Sequence, residues 1–203
     1  MNLKYFGSAA SVVGLEPNLA MHDIATAAAR SARLASRFSL VAGTAEEARP
    51  FAPSSFDAVV ATNVLCSVAD VRATLAFARS ALRPGGTMVL IEHVLSPRVG
   101  LLQAAQRACD PLQAMTCCGC HLARDHTRAL AASPFSGVET ARFSLGDADA
   151  MEHAATAGRS GGAVGVVRAL RGAVRDGGAG WGGDAPPKPH FLLSPHIVVV
   201  ATA

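Results

Sequence analysis

Two stretches decide the fold: Ser55-Phe56-Asp57-Ala58-Val59-Val60-Ala61-Thr62-Asn63 and Leu82-Arg83-Pro84-Gly85-Gly86-Thr87-Met88-Val89-Leu90-Ile91-Glu92-His93. Each holds a short apolar run that ends in polar residues. That is the pattern of a parallel strand covered on both faces, with its carboxyl end opening on a site. Between them, residues 71–82 read as a helix, stopped at Arg83-Pro84-Gly85-Gly86, where proline withdraws a donor and glycine permits the turn. Strand, helix and strand joined by short connections form a βαβ unit.

The alternation continues upstream. Val12-Val13-Gly14-Leu15 predicts a strand closed by Glu16-Pro17-Asn18, residues 19–36 predict an alanine-rich helix, and Phe38-Ser39-Leu40-Val41 predicts a second strand. Downstream, residues 97–132 read as helical with a break at 117–119. Residues 138–145 and 196–202 read as strands. The chain is expected to be a single domain over 1–203, interrupted at about 152–189 by a flexible Gly/Pro-rich insertion. That insertion contains Gly-Gly-Ala-Gly-Trp-Gly-Gly-Asp-Ala-Pro-Pro-Lys-Pro at 177–189, too poor in bulky apolar residues to offset its own ordering. The run 164–170 predicts a short helix or strand within it.

Composition excludes several classes. Half of the 203 residues are hydrophobic and 16% are charged, which favours a compact chain over a disordered one. The net charge of +3 comes from scattered basic residues that form no stripe, so no nucleic-acid partner is expected. Five cysteines, three of them crowded at Cys117, Cys118 and Cys120, give no secreted disulfide framework. A reducing compartment, cytoplasmic or organellar, is expected.

Four strand ends carry candidate chemistry. Glu16 follows an apolar strand, where a carboxylate can accept from both hydroxyls of a ribose; it serves equally well as a helix-capping acid. Gly43-Thr44-Ala45-Glu46-Glu47 suits an adenine edge, although Thr44 with Glu47 alone reads more readily as a capping box. Thr62-Asn63-Val64-Leu65-Cys66 offers backbone and small polar groups for a zwitterionic tail, and Glu92-His93 would face a substrate.

In order along one chain these features resemble class I S-adenosylmethionine-dependent methyltransferases of the type 11 domain. There an aspartate opens the fourth strand and a Leu-Arg-Pro-Gly-Gly turn enters the fifth, as at Asp57 and 82–86 here. Within that superfamily, residues 12–18, Leu65-Cys66-Ser67-Val68, Ile91-Glu92-His93-Val94, Gly119-Cys120-His121-Leu122-Ala123-Arg124-Asp125 and Ser194-Pro195-His196-Ile197 resemble the methyltransferase-like thiol S-methyltransferases. The resemblance implies a Rossmann-like α/β sheet, mostly parallel, with a C-terminal antiparallel hairpin. It implies S-adenosylmethionine as cofactor, held by Glu16, Pro17 and Asn18 at the ribose, Ala45 and Glu46 at the adenine, and Thr62 and Asn63 at the methionine end. The small-molecule acceptor stays open among small thiols, lipid-like quinones and other small nucleophiles; Glu92, Cys120 and Arg124 are expected in its pocket, and for a thiol the positions of His93 and His121, taken alone, suggest help with deprotonation.

The family's first strand ends in a Gly-x-Gly-x-Gly turn, and no such motif precedes Glu16. Asn2-Leu3-Lys4-Tyr5-Phe6 resembles the family's segment immediately C-terminal to that turn, so the chain is expected to begin just after it, through a lost exon or a wrongly chosen start codon. That strand is central in the family. Without it the chain is expected to fold poorly and bind cofactor weakly. Any membrane anchor of the kind some relatives carry would also lie upstream. The main rival reading is therefore a catalytically inactive remnant acting, if at all, as a binding protein. A nicotinamide-dependent oxidoreductase fits Glu16 but not the Leu-Arg-Pro-Gly-Gly turn or the antiparallel final strand. Cys117-Cys118-Gly119-Cys120-His121 invites a zinc or haem reading, yet no second ligand pair stands at a usual spacing, so no metal is expected. Oligomeric state is left open.

Overall fold

The computed structural model describes residues 2–46, 51–144 and 195–203. The insertion expected at about 152–189, the run 164–170 and Glu47 of the capping box lie outside the described residues.

The elements fall where the apolar periodicity puts them. After a single 3-10 turn at Leu3–Tyr5 come β1 (Val12–Leu15), α1 (Ala20–Ser31), β2 (Phe38–Val41), β3 (Phe56–Thr62), α2 (Val71–Ala81) and β4 (Leu82–His93). Next are α3 (Leu101–Thr116), α4 (Thr127–Ala131), β5 (Gly137–Ser144) and β6 (Pro195–Thr202). Helix α2 starts cleanly because the Asp70 carboxylate accepts from Arg72 N and Ala73 N, satisfying two donors that a first turn leaves orphaned. The strands form a Rossmann-like α/β arrangement: β1 pairs with β2 in parallel, and β3-β4-β6-β5 form a four-stranded sheet. Strands β3 and β4 are parallel, while β6 runs antiparallel to both β4 and β5, which is the expected C-terminal hairpin.

Burial concentrates on the larger sheet. Leu75, Leu82, Met88, Leu90, Leu130, Ile197 and Val199 form one apolar core that packs α2 and α4 against β4 and β6. Strand β4 is central, and its residues from Met88 to His93 are all buried.

Two sequence readings are corrected. The composition of Ala58-Val59-Val60-Ala61 predicts cover on both faces, but Ala58 is exposed and the other three are half-buried. Among the described residues no ladder joins β3 to β1, so β3 is an edge strand with a neighbour on one side only. The second correction concerns Arg83-Pro84-Gly85-Gly86, which stops the helix but does not stand outside the strand. β4 already begins at Leu82, paired with Phe56, and the next pair is Thr87 with Ala58, so the intervening residues bulge from the ladder. The bulge needs glycine twice. Gly85 sits at φ +77°, and a Cβ on Gly86 would lie 2.9 Å from Arg83 O and 3.2 Å from Asp57 O. The chain end then closes over it: Gly85 N donates to Ala203 O, and Ala203 N donates to Gly86 O.

Candidate functional site

The carboxyl ends of β1, β2, β3 and β4 carry the candidate residues, and the structure engages them unequally. At β1, Glu16 N donates to Val41 O, closing the last pair of the β1–β2 register, Leu15 with Val41. The Glu16 carboxylate accepts from Asn18 N at 2.9 Å, and Asn18 Oδ1 accepts from Ala20 N at 3.0 Å. Glu16, Pro17 and Asn18 thus form the tight turn into α1, with Asn18 spent on its first turn. After β2, Ala45 is half-buried, and Glu46 Oε1 accepts from Asp70 N at 2.7 Å, fastening this loop to the start of α2. After β3, Thr62 Oγ1 accepts from Asn2 Nδ2 at 2.8 Å, while Asn63, at φ +52° and exposed, turns the chain away.

The most completely built part lies where β3 and β4 end. Val64 N and Leu65 N both donate to Glu92 Oε1, at 2.8 and 3.0 Å. The Arg124 guanidinium donates to Leu65 O at 2.8 Å and Val68 O at 2.7 Å. His121 N donates to Cys66 O at 3.0 Å, and Leu95 N donates to Arg124 O at 3.3 Å. Three segments (the turn after β3, the end of β4 and the loop after α3) are thereby locked together by hydrogen bonds. Sequence resemblance sets Glu92 and Arg124 against a substrate; the structure engages Glu92 Oε1 and the Arg124 guanidinium with this turn.

The lock brings Cys66, His93 and Cys120 together. One donor atom from each lies within 4.8 Å of the others, and His93 Nε2 is 3.2 Å from Cys120 Sγ. Cys66 and His93 are buried, and Cys120 is half-buried. The two thiols share a proton unequally. The hydrogen bond from Cys66 holds Cys120 well below the ordinary thiol range, with His93 adding to the effect. That same bond, followed by burial, pushes Cys66 up. Thiolate character thus rests on Cys120, the form in which sulfur is nucleophilic and metal-binding.

Buried groups surround the cluster. Burial pushes Glu92 up to about 7 against the pull of the Leu65 and Val64 amides, and its Oε2 has no hydrogen-bond partner among the described residues. Burial, then the His93 imidazole, holds His126 down at about 4, so it is neutral at physiological pH. Neither of its ring nitrogens has a hydrogen-bond partner among the described residues. His121 stands apart from the Cys66–His93–Cys120 set: its Nδ1 is 3.0 Å from Asp110 Oδ2, and its side chain is 40% exposed. Cys117 and Cys118 are exposed.

Sequence reading pairs Cys120 with its neighbours along the chain and so misses Cys66 as a partner. Cys118 at φ +52° and Gly119 at φ +78° turn the chain between Cys117, which is exposed, and Cys120, which is half-buried. The only sequence signal for the true grouping is that Cys66 and His93 each lie just beyond the apolar run of a predicted strand.

Residues 1–90 match the methyltransferase domain family. The fold is also that of a geranyl diphosphate C-methyltransferase from Streptomyces coelicolor A3(2), solved with S-adenosyl-L-homocysteine; 94% of this chain overlays 64% of that one, at TM-score 0.54 and 19% identity. Over residues 1–90 the chain is thus similar to methyltransferase domains, and its fold is one that solved methyltransferases share. Among characterised proteins it is similar to the thiol S-methyltransferase TMT1B of Rattus norvegicus, with 29% identity over 68% of this chain and 57% of the relative. It is likewise similar to the thiol S-methyltransferase TMT1B of Homo sapiens, with 30% identity over 70% of this chain and 58% of the relative. The chain thus spans a little over half the length of these relatives. Among the described residues no helix is long and apolar enough to cross a membrane.

Proposed function

We propose that this chain transfers the methyl group of S-adenosylmethionine to a small nucleophile, and that the nucleophile is a thiol. The observation that carries the reading is the Cys66–His93–Cys120 cluster at the carboxyl ends of β3 and β4, where ligands of open α/β sheets bind. Similarity to thiol S-methyltransferases supports the same acceptor. We also read residues 1–203 as one domain.

Candidate residues for both halves of the cofactor already hold internal hydrogen bonds, each with acceptor capacity left over. Glu16 and Glu46 put carboxylates at the ends of β1 and β2, beside Pro17, Asn18 and Ala45, where ribose and adenine would be held. Thr62 and Asn63 are the groups available for the methionine end, and Thr62 is already hydrogen-bonded to Asn2. When bound, S-adenosylmethionine supplies a methyl group activated by its sulfonium, so the chain's own task is to position the acceptor and take up its proton. His93 is the imidazole placed to do this at the buried cluster. His121 is held by Asp110, whose carboxylate burial alone would raise but which Ala123 N–H and His121 keep low. Replacing both histidines with alanine and finding thiol methylation unchanged at neutral pH would remove them from the mechanism.

A second reading is an inactive remnant that has lost the cofactor and acts, if at all, as a binding protein for another partner. The observation favouring it is the split between the β1–β2 pair and the four-stranded sheet. Isothermal titration with S-adenosylmethionine and S-adenosylhomocysteine separates the two, run on this chain and on one extended upstream in frame. Binding by the extended chain alone, or by both, supports the methyltransferase. Binding by neither puts the remnant first.

A further inference from the structure

We propose that Cys66, His93 and Cys120 form a three-donor zinc site whose fourth position takes the acceptor as a thiolate; only the use of that fourth position rests on the methyltransferase reading. Two sulfurs and an imidazole are the donor set that zinc selects, and three protein ligands with one open position is the arrangement of catalytic rather than structural zinc.

Geometry supports the assignment. A tetrahedral zinc with sulfur ligands at ~2.3 Å and nitrogen at ~2.0–2.1 Å separates its donors by roughly 3.5–3.8 Å. Here the His93–Cys120 pair stands at 3.2 Å, and all three donors fall within 4.8 Å. Side-chain rotation of less than about an ångström brings both figures into that range. The donors also sit on elements already fixed by hydrogen bonds: Glu92 and Arg124 hold the turn that carries Cys66, and His121 N ties the Cys120 loop to Cys66 O. Pre-set ligands of this kind spare the metal the ordering entropy of assembling them.

Charge points the same way. Glu92 Oε2 is buried with no hydrogen-bond partner among the described residues, next in sequence to His93. A divalent cation in the adjacent donor triangle compensates a carboxylate that otherwise has half its acceptor capacity unmet. The string Cys117-Cys118-Gly119-Cys120-His121 is not the ligand set, because Cys117 and Cys118 are exposed and His121 faces Asp110. At the fourth position a thiol would enter as thiolate, displacing bound water and releasing its proton to solvent; with its ring nitrogen on the metal, His93 would then hold the zinc in place of taking up that proton. The half-buried Cys120 marks the side from which it arrives.

The test uses the whole chain, reduced and freed of metal, titrated with cobalt(II). The expected result is a thiolate-to-cobalt charge-transfer band with visible d–d bands of tetrahedral intensity, bleached by zinc. C66S and C120S are each expected to weaken the band to about half its intensity and bind at least roughly tenfold more weakly, whereas the double variant C117S/C118S keeps it in full. Should the single variants not fold, the unaltered chain still decides. Zinc must slow iodoacetamide labelling of Cys66 and Cys120, read by peptide mass mapping, and leave Cys117 and Cys118 labelled at the same rate. No charge-transfer band in the unaltered chain, loss of the band in C117S/C118S, or labelling indifferent to zinc overturns the site. Adding 2-mercaptoethanol to the cobalt form should shift the charge-transfer band; no shift overturns the acceptor role. None of these readouts needs S-adenosylmethionine, so a failed cofactor titration leaves them untouched, and a failed cobalt titration leaves methyl transfer standing.

Discussion

Arg124 shows how one side chain can be legible in type and not in task. A basic residue in a Gly-Cys-His-Leu-Ala-Arg loop suggests a substrate contact, but its guanidinium closes on the carbonyls of Leu65 and Val68. Arg124→Ala leaves both carbonyls short of a charged donor and should cost about 2–4 kcal/mol in urea denaturation. A loss of activity with unchanged stability would return Arg124 to the substrate. His126 gives a prediction with a sign. Its folded pKa of about 4 lies below the ordinary 6.5, so the unfolded chain takes up the proton first. The stability this confers is present above pH 6.5 and falls away as pH drops toward 4, by on the order of 2–3 kcal/mol. Glu92, raised from 4.5 to about 7, acts in the opposite sense, its contribution being lost as pH rises through 7. Comparing H126L with the unaltered chain in the same buffers cancels the Glu92 contribution. The variant's urea midpoint should be flatter between pH 6.5 and 4, and parallel profiles would show His126 accessible to protons in the fold.

At the scale of elements, most of the fold was readable, because period and punctuation carry it. β1, β2, α2 and both hairpin strands fall within a residue or two of where apolar runs and turn residues put them. What could not be read is what lies beside each element. The Ala58-Val59-Val60-Ala61 run has the composition of a doubly covered strand, but coverage depends on neighbours, and β3 has one. Arg83-Pro84-Gly85-Gly86 has the composition of a loop, yet the four residues stay within the span of β4 because Leu82 and Thr87 both pair with β3. The cysteine cluster was hidden for the same reason, since the turn after β3, the end of β4 and the loop after α3 meet only after the strands have set their spacing. Gly86 tests the bulge. A Cβ there would press on two carbonyl oxygens and on Leu82 Cδ2 at 3.1 Å, and only the leucine tip can move cheaply. Gly86→Ala should therefore cost about 1–3 kcal/mol, read as a lowered urea midpoint with an unchanged slope. A neutral result would mean that the bulge relaxes freely.

The molecule as a whole divides at the sheet. Strands β3, β4, β6 and β5 share continuous ladders and the main apolar core, whereas β1 and β2 pair only with each other among the described residues. None of the eight residues of β1 and β2 is fully buried. A two-stranded sheet is marginal by itself, and parallel pairs are slightly weaker per residue than antiparallel ones. Two of the small sheet's ties to the remainder are polar, Glu46 to the Asp70 amide and Asn2 to Thr62 near the chain start. Contacts of that kind contribute about 1 kcal/mol apiece, too little to make the two sheets one cooperative unit. Native-state hydrogen exchange should therefore find the amides of Val12–Leu15 and Phe38–Val41 opening with far lower free energy than those of Met88 to Ile91. The ribose and adenine side of the proposed site, at Glu16 and Glu46, belongs to the part that opens first, while the Cys66–His93–Cys120 cluster belongs to the part that opens last. S-adenosylmethionine would then have to order β1 and β2 as it binds, and would slow exchange there without changing it in β4. Equal protection of the two sheets without ligand would show that the split in the ladder is not a split in stability, and would take away the structural support for the remnant reading.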